Sequence, residues 1–381
     1  MSWPNVTVSH QNRFNGATRE VERTLLFVGY GKKNTGNTLS VSPETDLDDV
    51  LGPDESLLKS TLTAAIANGG QNWFAYVHVL SEPKPPTPEG GDANAAWVDA
   101  VKKAQTIASA EGVVIAIDIT AKDAVNRATE TRALLQSAYG RFVWFMLCVA
   151  GPGRDEAWAA YVTRISAMQD GVAAPGVMVV PRLWGNEPGV LAGRLCNPSV
   201  TVADSPARVA TGALVAMGND EIPQDGKKQP LELATLRSLE GKRFSVPMWY
   251  HDFDGLYWSD GRTLDVEGGD YQVIENVRVV DKVSRRVRLR AIARLADRAL
   301  NSTPGSIAAS QTYFSRTLRE MALATEINGV PFPGEVKPPQ DGDITIVWTS
   351  STHVQIYIVV RPYESAKAIG VSIELDTALE I

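Results

Sequence analysis

Between residues 23 and 183, short unbroken apolar runs alternate with stretches whose apolar residues recur every three or four positions. The runs RTLLFVG (23–29), NWFAYVHVL (72–80), GVVIAIDIT (112–120), RFVWFMLCVA (141–150) and GVMVVPRL (176–183) read as strands. They lack an alternating polar side, so both faces should be covered. The intervening stretches read as amphipathic helices. Leu58, Leu62, Ala65 and Ile66 share one face, Trp97, Val101, Ala104 and Ala108 another, and Trp158, Tyr161, Val162 and Ile165 a third. Gly69-Gly70 stops the first helix, and Gly140 follows the helix carrying Val125, Ala128 and Leu135. Strands alternating with helices predict an α/β fold around a covered, mixed sheet.

The texture changes after the polar stretch GNDEIPQDGKKQP (218–230). LYWSDGRTL (256–264) places Asp-Gly between aromatic and apolar residues, which predicts a hairpin. Long helices are expected from about Val279 to Leu300 and from about Ser306 to Ala324, followed by a Pro/Gly-rich turn (330–343). Three alternating strands close the chain: ITIVW (344–348), VQIYIVV (354–360) and AIGVSIEL (368–375). This second part should be a smaller α+β domain. The expected division is an extended N-terminal segment (1–22), a main domain (23–245) with an exposed Pro/Gly-rich loop (81–95), a C-terminal domain (246–362) and an extended C-terminal segment (363–381).

Both ends carry strand patterns set apart from the body. Val6 and Val8 alternate with polar residues at one end, and Ile369, Val371, Ile373 and Leu375 with smaller or polar residues at the other. Such a strand can pair within its own domain or add to the sheet edge of another chain. The pattern leaves both open.

The formal net charge of −7 excludes a general polyanion binder, though a local basic face remains possible. Two distant cysteines give no disulfide framework, and Cys148, inside an apolar run, should be a buried thiol. The N-terminus lacks the regions of a signal peptide, and no apolar run reaches the ~18 residues needed to span a bilayer. A soluble protein made in the cytosol is expected.

Candidate chemistry is sparse. VGYGKKNTGNT (28–38) follows the first strand, where α/β proteins often hold phosphate. A Walker A loop would need a lysine where Asn37 stands, and the dinucleotide fingerprint fails at Asn34. Pro43 also delays the helix whose N-terminus would receive the anion. A solvated glycine turn is the better reading, with an α/β enzyme binding a nucleotide or anion at Gly29–Gly36 as the alternative. No HExxH, CxxC or GxSxG is present. HDFDG (251–255) is the densest polar cluster, but Thr263 stands where a calcium loop needs its glutamate, so a turn is favoured. Asp46, Asp48 and Asp49 suit an acidic helix start. No catalytic residue, metal site or cofactor is expected.

One charge pattern stands out. Lys282, Arg286, Arg290, Arg294 and Arg298 recur at every fourth position, with Arg285 and Arg288 nearby. On a helix they form a winding ridge ~24 Å long beside an apolar stripe. Only Asp281 and Asp297 offset it, which points to an acidic partner surface. No aromatics interleave with these arginines, so direct nucleic-acid binding is not expected.

Several stretches, in order, resemble the tail sheath proteins of contractile bacteriophages and related injection machines, including those of R-type bacteriocins. They are LSVSPETDLDDVLGPDESLLKSTLTAAIANGGQNWFAYVHV, then LYWSDGRTLDV with YQVIENVRVVDKVSRRVRL, then IYIVVRPYESAKAIGVSIEL. MSWPNVTV and CNPSVTVADSPARVATG are similar to the Mu/P2-like branch. The resemblance implies stacked hexameric rings around a tail tube, with baseplate and tail terminator proteins as further partners. It implies a virion tail location after assembly in the bacterial host cytoplasm, and contraction rather than catalysis. The terminal segments, with Val6, Val8, Ile369, Val371, Ile373 and Leu375, would be arms that add strands to neighbouring subunits. Lys282, Arg285, Arg286, Arg290, Arg294 and Arg298 would face the tube.

Overall fold

In the computed structural model, which describes residues 21–82 and 96–375, the unbroken apolar runs become the strands of a central sheet. In chain order the first part comprises β1 (Leu25–Tyr30), β2 (Thr38–Val41), α1 (Leu47–Leu51), α2 (Leu57–Gly69) and β3 (Ala75–Leu80). It continues with α3 (Ala96–Ile107), β4 (Gly112–Asp118), α4 (Asp123–Tyr139), β5 (Trp144–Ala150), α5 (Trp158–Ser166), β6 (Val177–Arg182), α6 (Glu187–Leu195) and α7 (Leu233–Gly241). Six strands form one sheet in the order β2-β3-β1-β4-β5-β6. Neighbours run parallel, with Leu25 opposite both Ala75 and Gly112, except that β2 lies antiparallel on β3. Leu25–Val28 are at most 1% exposed, which requires cover on both faces. The predicted α/β class and mixed sheet are what the chain forms. The expected loop 81–95 lies, from residue 83 onward, outside the described residues.

The α6 segment was not anticipated from sequence, because EPGVLAGRL has poor helix propensity. Packing overrides propensity here, since every residue of α6 is buried. A Cβ at Gly189 would lie 2.1 Å from the Thr61 carbonyl oxygen of α2, and one at Gly193 2.3 Å from that of Ala65. Two glycines four apart thus let the helices touch backbone to backbone. Cys148 and Cys196 are buried and free.

The second part comprises β7 (Pro247–Tyr250), β8 (Phe253–Trp258), α8 (Ile274–Ile292), α9 (Pro304–Met321), β9 (Thr325–Ile327), β10 (Val330–Phe332), β11 (Ile344–Ser350) and β12 (His353–Ile358). Three expectations need correction. The hairpin forms earlier than Asp260-Gly261: β7 pairs with β8, Tyr250 opposite Phe253, and Asp252 makes the turn at φ 59°. Asp260 is instead drawn inward between buried Trp258 and Leu264. A Cβ on Gly261 would lie 2.4 Å from Ile274, so that glycine serves a close approach and not a turn. The α8 helix starts at Ile274 and stops at Ile292, so Arg294 and Arg298 lie in the turns beyond it. Residues 368–375 pair with no strand among the described residues, although β11 and β12 form the antiparallel hairpin expected before them.

Two hydrophobic cores meet in α8. Ile274 and Val277 belong to the core that starts at Leu25, and Val279 and Val283 to a second one with Phe314, Leu318, Met321, Val336, Ile344 and Ile346. A single helix therefore contributes to both cores.

Candidate functional site

At the end of β1 the chain turns through Gly31 and Gly36 into β2. The amides that could cradle a phosphate are already used: Lys32 and Lys33 N–H donate to the Leu51 carbonyl (2.9 and 3.1 Å) and Gly31 N–H to that of Leu80 (3.1 Å). Lys32 Nζ pairs with Asp54 at 2.5 Å, and Lys33 Nζ donates to the Asp48 carbonyl at 3.1 Å. A Cβ at Gly31 would lie 2.7 Å from Val79 Cγ1, so the glycine answers to packing. Asp46 caps α1 by accepting the Asp48 N–H (2.8 Å), as the acidic cluster suggested. The HDFDG cluster forms the β7–β8 turn (His251 and Asp252) and the start of β8, and among the described residues no group of three acidic, His or Cys side chains is arranged to hold a metal.

The basic positions of α8 divide into two sets. Lys282 is buried and its Nζ pairs with Glu335 at 2.8 Å, while Arg285 donates to the Phe142 carbonyl (2.8 Å) and to Glu22 (2.9 Å). Both turn inward. Arg286 is half-buried, and Arg290 reaches across to α9, donating to Thr317 Oγ1 at 2.8 Å and Glu320 at 3.0 Å. Arg294 pairs with Asp297 (2.7 Å) and lies 4.3 Å from the centre of the Tyr313 ring. Arg298 is exposed. The described surface beside them includes exposed Arg288, Leu289, Ile292 and Leu295.

Sequence reading missed the buried charges on the same helix. Arg278 and Glu111 are each about 1% exposed and paired to one another. Arg278 also donates to the Leu195 carbonyl at 2.9 Å, and Asp281 accepts both arms of Arg132 from α4 at 2.8 and 3.0 Å. Glu275 accepts from Lys367 at 2.9 Å, and Asp260 accepts from the same ammonium at 2.6 Å. Burial works against the Lys367 charge, but Glu275 and Asp260 outweigh it and hold the pKa above its ordinary value. Each partner lies too far away in sequence for a spacing rule to reveal it.

The Glu22–Arg285 pair gives a pH test. Burial opposes the charge on Glu22, yet Arg285 outweighs it and holds the carboxyl below its ordinary 4.5. The pair therefore stabilises the fold above about pH 4.5, and the increment is lost as acid protonates Glu22. Glu22→Gln should flatten the acid limb of the stability profile when melting is followed from about pH 7 down to about pH 2, through the lowered titration of Glu22. An acid limb identical to that of the unchanged chain would contradict the pairing.

At the C-terminus, Ile344, Ile346 and Ile356 face the second core, while Thr345, Val347 and Tyr357 face outward. The β11–β12 hairpin stands as a two-stranded sheet, with no third strand on it among the described residues. Beyond it Ile369, Val371, Ile373 and Leu375 are 81, 77, 91 and 87% exposed. Four apolar side chains at alternate positions thus have no cover among the described residues. Val6 and Val8 lie outside the described residues.

The family described as DUF2586, N-terminal domain, matches residues 3–262, and that described as DUF2586, C-terminal domain, matches residues 270–378. A protein of Haemophilus phage HP1 (strain HP1c1), named as a tail sheath protein, is 48% identical over 382 residues and covers 98% of either chain. Among solved structures, the sheath of the extracellular contractile injection system PVC in its contracted state matches with TM-score 0.62 and 16% identity, over 99% of this chain and 98% of that one. The sheath tail protein of Listeria innocua matches with TM-score 0.54 and 10% identity, over 91% and 93%. At these identities the structural likeness is one of fold.

Proposed function

The chain belongs to the DUF2586 family, and from that premise we propose how its surfaces build and work a contractile tail sheath. The protein is a sheath subunit of a contractile tail. In our reading its subunits stack as hexameric rings around the tail tube, in contact with baseplate and tail terminator proteins, after assembly in the bacterial host cytoplasm. Its work is mechanical: neighbours slide into a shorter, wider lattice that buries more surface, at ~25 cal/mol per Å² of apolar area.

One observation carries this reading. Residues 369–375 present an alternating apolar segment with no partner among the described residues, in a chain whose β11–β12 hairpin is a two-stranded sheet there. The open edges of a two-stranded sheet invite strand addition. The C-terminal segment of one subunit therefore pairs with the hairpin of a neighbour, and the N-terminal segment bearing Val6 and Val8 acts likewise at another joint. Such joints hold subunits together while their bodies move. Ending the chain before Ile369 tests this, since the shortened subunit should fold but form no sheath.

The tube-facing surface in this reading is the outer basic set: Arg286, Arg290, Arg294 and Arg298. Lys282 and Arg285, turned inward, support it from behind. A charged contact is screened by salt and breaks more readily than an apolar one, which suits a sheath that must let go of its tube. Replacing Arg290, Arg294 and Arg298 together with Glu is expected to weaken co-sedimentation with purified tubes about tenfold or more at low salt, and less at high salt. Unchanged co-sedimentation would contradict this role.

A further inference from the structure

We propose that α8 is the common anchor from which both terminal segments leave the subunit, and that Lys367 is the positioning residue that fixes where the C-terminal strand begins. This rests on the reading that residues 369–375 join a neighbour.

The last fixed points before the C-terminal strand are close together. Val336 bridges Pro362, and Lys337 donates its N–H to the Arg361 carbonyl at 2.7 Å. Lys367 then inserts its ammonium between Asp260 and Glu275, both largely buried. From Ala368 to Leu375 every residue is exposed. Glu275 lies in the first turn of α8. The chain is thus held to the helix one residue before it becomes free.

The other end is tied to the same helix. Arg285 on α8 holds Glu22, and Arg278 holds Glu111, which accepts the Arg23 N–H at 2.6 Å. Arg23 in turn reaches the Val200 carbonyl with its guanidinium. Glu275 and Arg285 are ten residues apart, so the two tethers sit ~15 Å from each other along one helix. Tension between neighbours joined through opposite ends would enter α8 at these two tethers. A fixed departure point also raises the effective concentration of the strand at its acceptor, because less chain must be ordered on pairing.

The test uses full-length subunits held below the polymerisation threshold, so it does not depend on strand exchange. Cys148 and Cys196 are buried, which leaves spin labelling to introduced cysteines. Labels at Ala133→Cys on α4 and Ala368→Cys should give a narrow distance distribution. Lys367→Met alone leaves two buried carboxylates unpaired and risks misfolding. The decisive variant is therefore Asp260→Asn, Glu275→Gln and Lys367→Met combined, which leaves no charge behind. It should broaden the distribution about twofold or more and raise the concentration needed for tube formation about tenfold. Lys367→Arg should keep both close to the unchanged chain. With labels at Val21→Cys and Ala133→Cys, Glu22→Gln with Arg285→Gln should broaden the distribution at the other end. An unbroadened distribution in either variant overturns the anchor. Broadening with an unchanged tube threshold overturns its role in presenting the strand. Should the chain ending at Ala368 still form tubes, the strand reading fails, whatever the labels report.

Discussion

A chain ending at Ala368 is expected to fold as the full-length subunit does and to form no sheath. Its lost strand carries Ile369, Val371, Ile373 and Leu375, all at least 77% exposed, so removal costs the subunit almost no burial. The assembly loses far more. Covering an aliphatic side chain contributes roughly 1.5–3 kcal/mol, so four at each joint give about 6–12 kcal/mol, which together with the new inter-strand hydrogen bonds offsets the cost of ordering a short strand. The cut must follow Lys367, because an earlier one would strip Asp260 and Glu275 of their cation and confuse an assembly defect with a folding one. Size-exclusion chromatography, thermal melting and negative-stain microscopy separate the two. Tubes from the shortened chain would contradict the strand assignment.

Arg278→Met is expected to be among the most damaging single substitutions in the fold. Arg278 and Glu111 are each about 1% exposed, and Glu111 also accepts the Arg23 N–H. Removing the guanidinium strands a carboxylate in the interior, which costs about 3–5 kcal/mol, against a total stability on the order of 5–15 kcal/mol. Replacing Glu111 with Gln in the same chain should recover much of the loss, because an uncharged amide tolerates burial better. Urea denaturation measures both. A loss below about 1 kcal/mol for Arg278→Met would show that the pair does not hold the helix in place.

The central strands were legible because a run such as LLFV has no polar side to offer water, whatever surrounds it. Gly140 was legible as a helix stop for a local reason too, its left-handed backbone at φ 61°. What could not be read depends on contacts between distant residues. The α6 helix forms because Gly189 and Gly193 fit against α2, not because its residues favour helix. Asp260-Gly261 has the composition of a hairpin turn, yet Ile274 and Lys367 claim it, so the turn falls at Asp252. The basic spacing of α8 was visible, but its split into inward and outward sets was not. Glu22, Phe142 and Glu335, the partners that turn Arg285 and Lys282 inward, lie 53 to 263 residues away in sequence.

The glycine turn after β1 shows how a local motif can mislead. VGYGKKNTG has the look of an anion cradle, but its amides are spent on Leu51 and Leu80 and its lysines face Asp54 and Asp48. It is a tightly packed corner of a building block.

The position of residues 369–375 in the assembled sheath decides whether its subunits are knitted by strand exchange. Electron cryomicroscopy of the assembled sheath locates them directly. In the sheath this strand of one subunit should run along the β11–β12 hairpin of another, with Lys367 still seated between Asp260 and Glu275. Density showing the same residues folded onto their own hairpin, or uncovered in solvent, would contradict it.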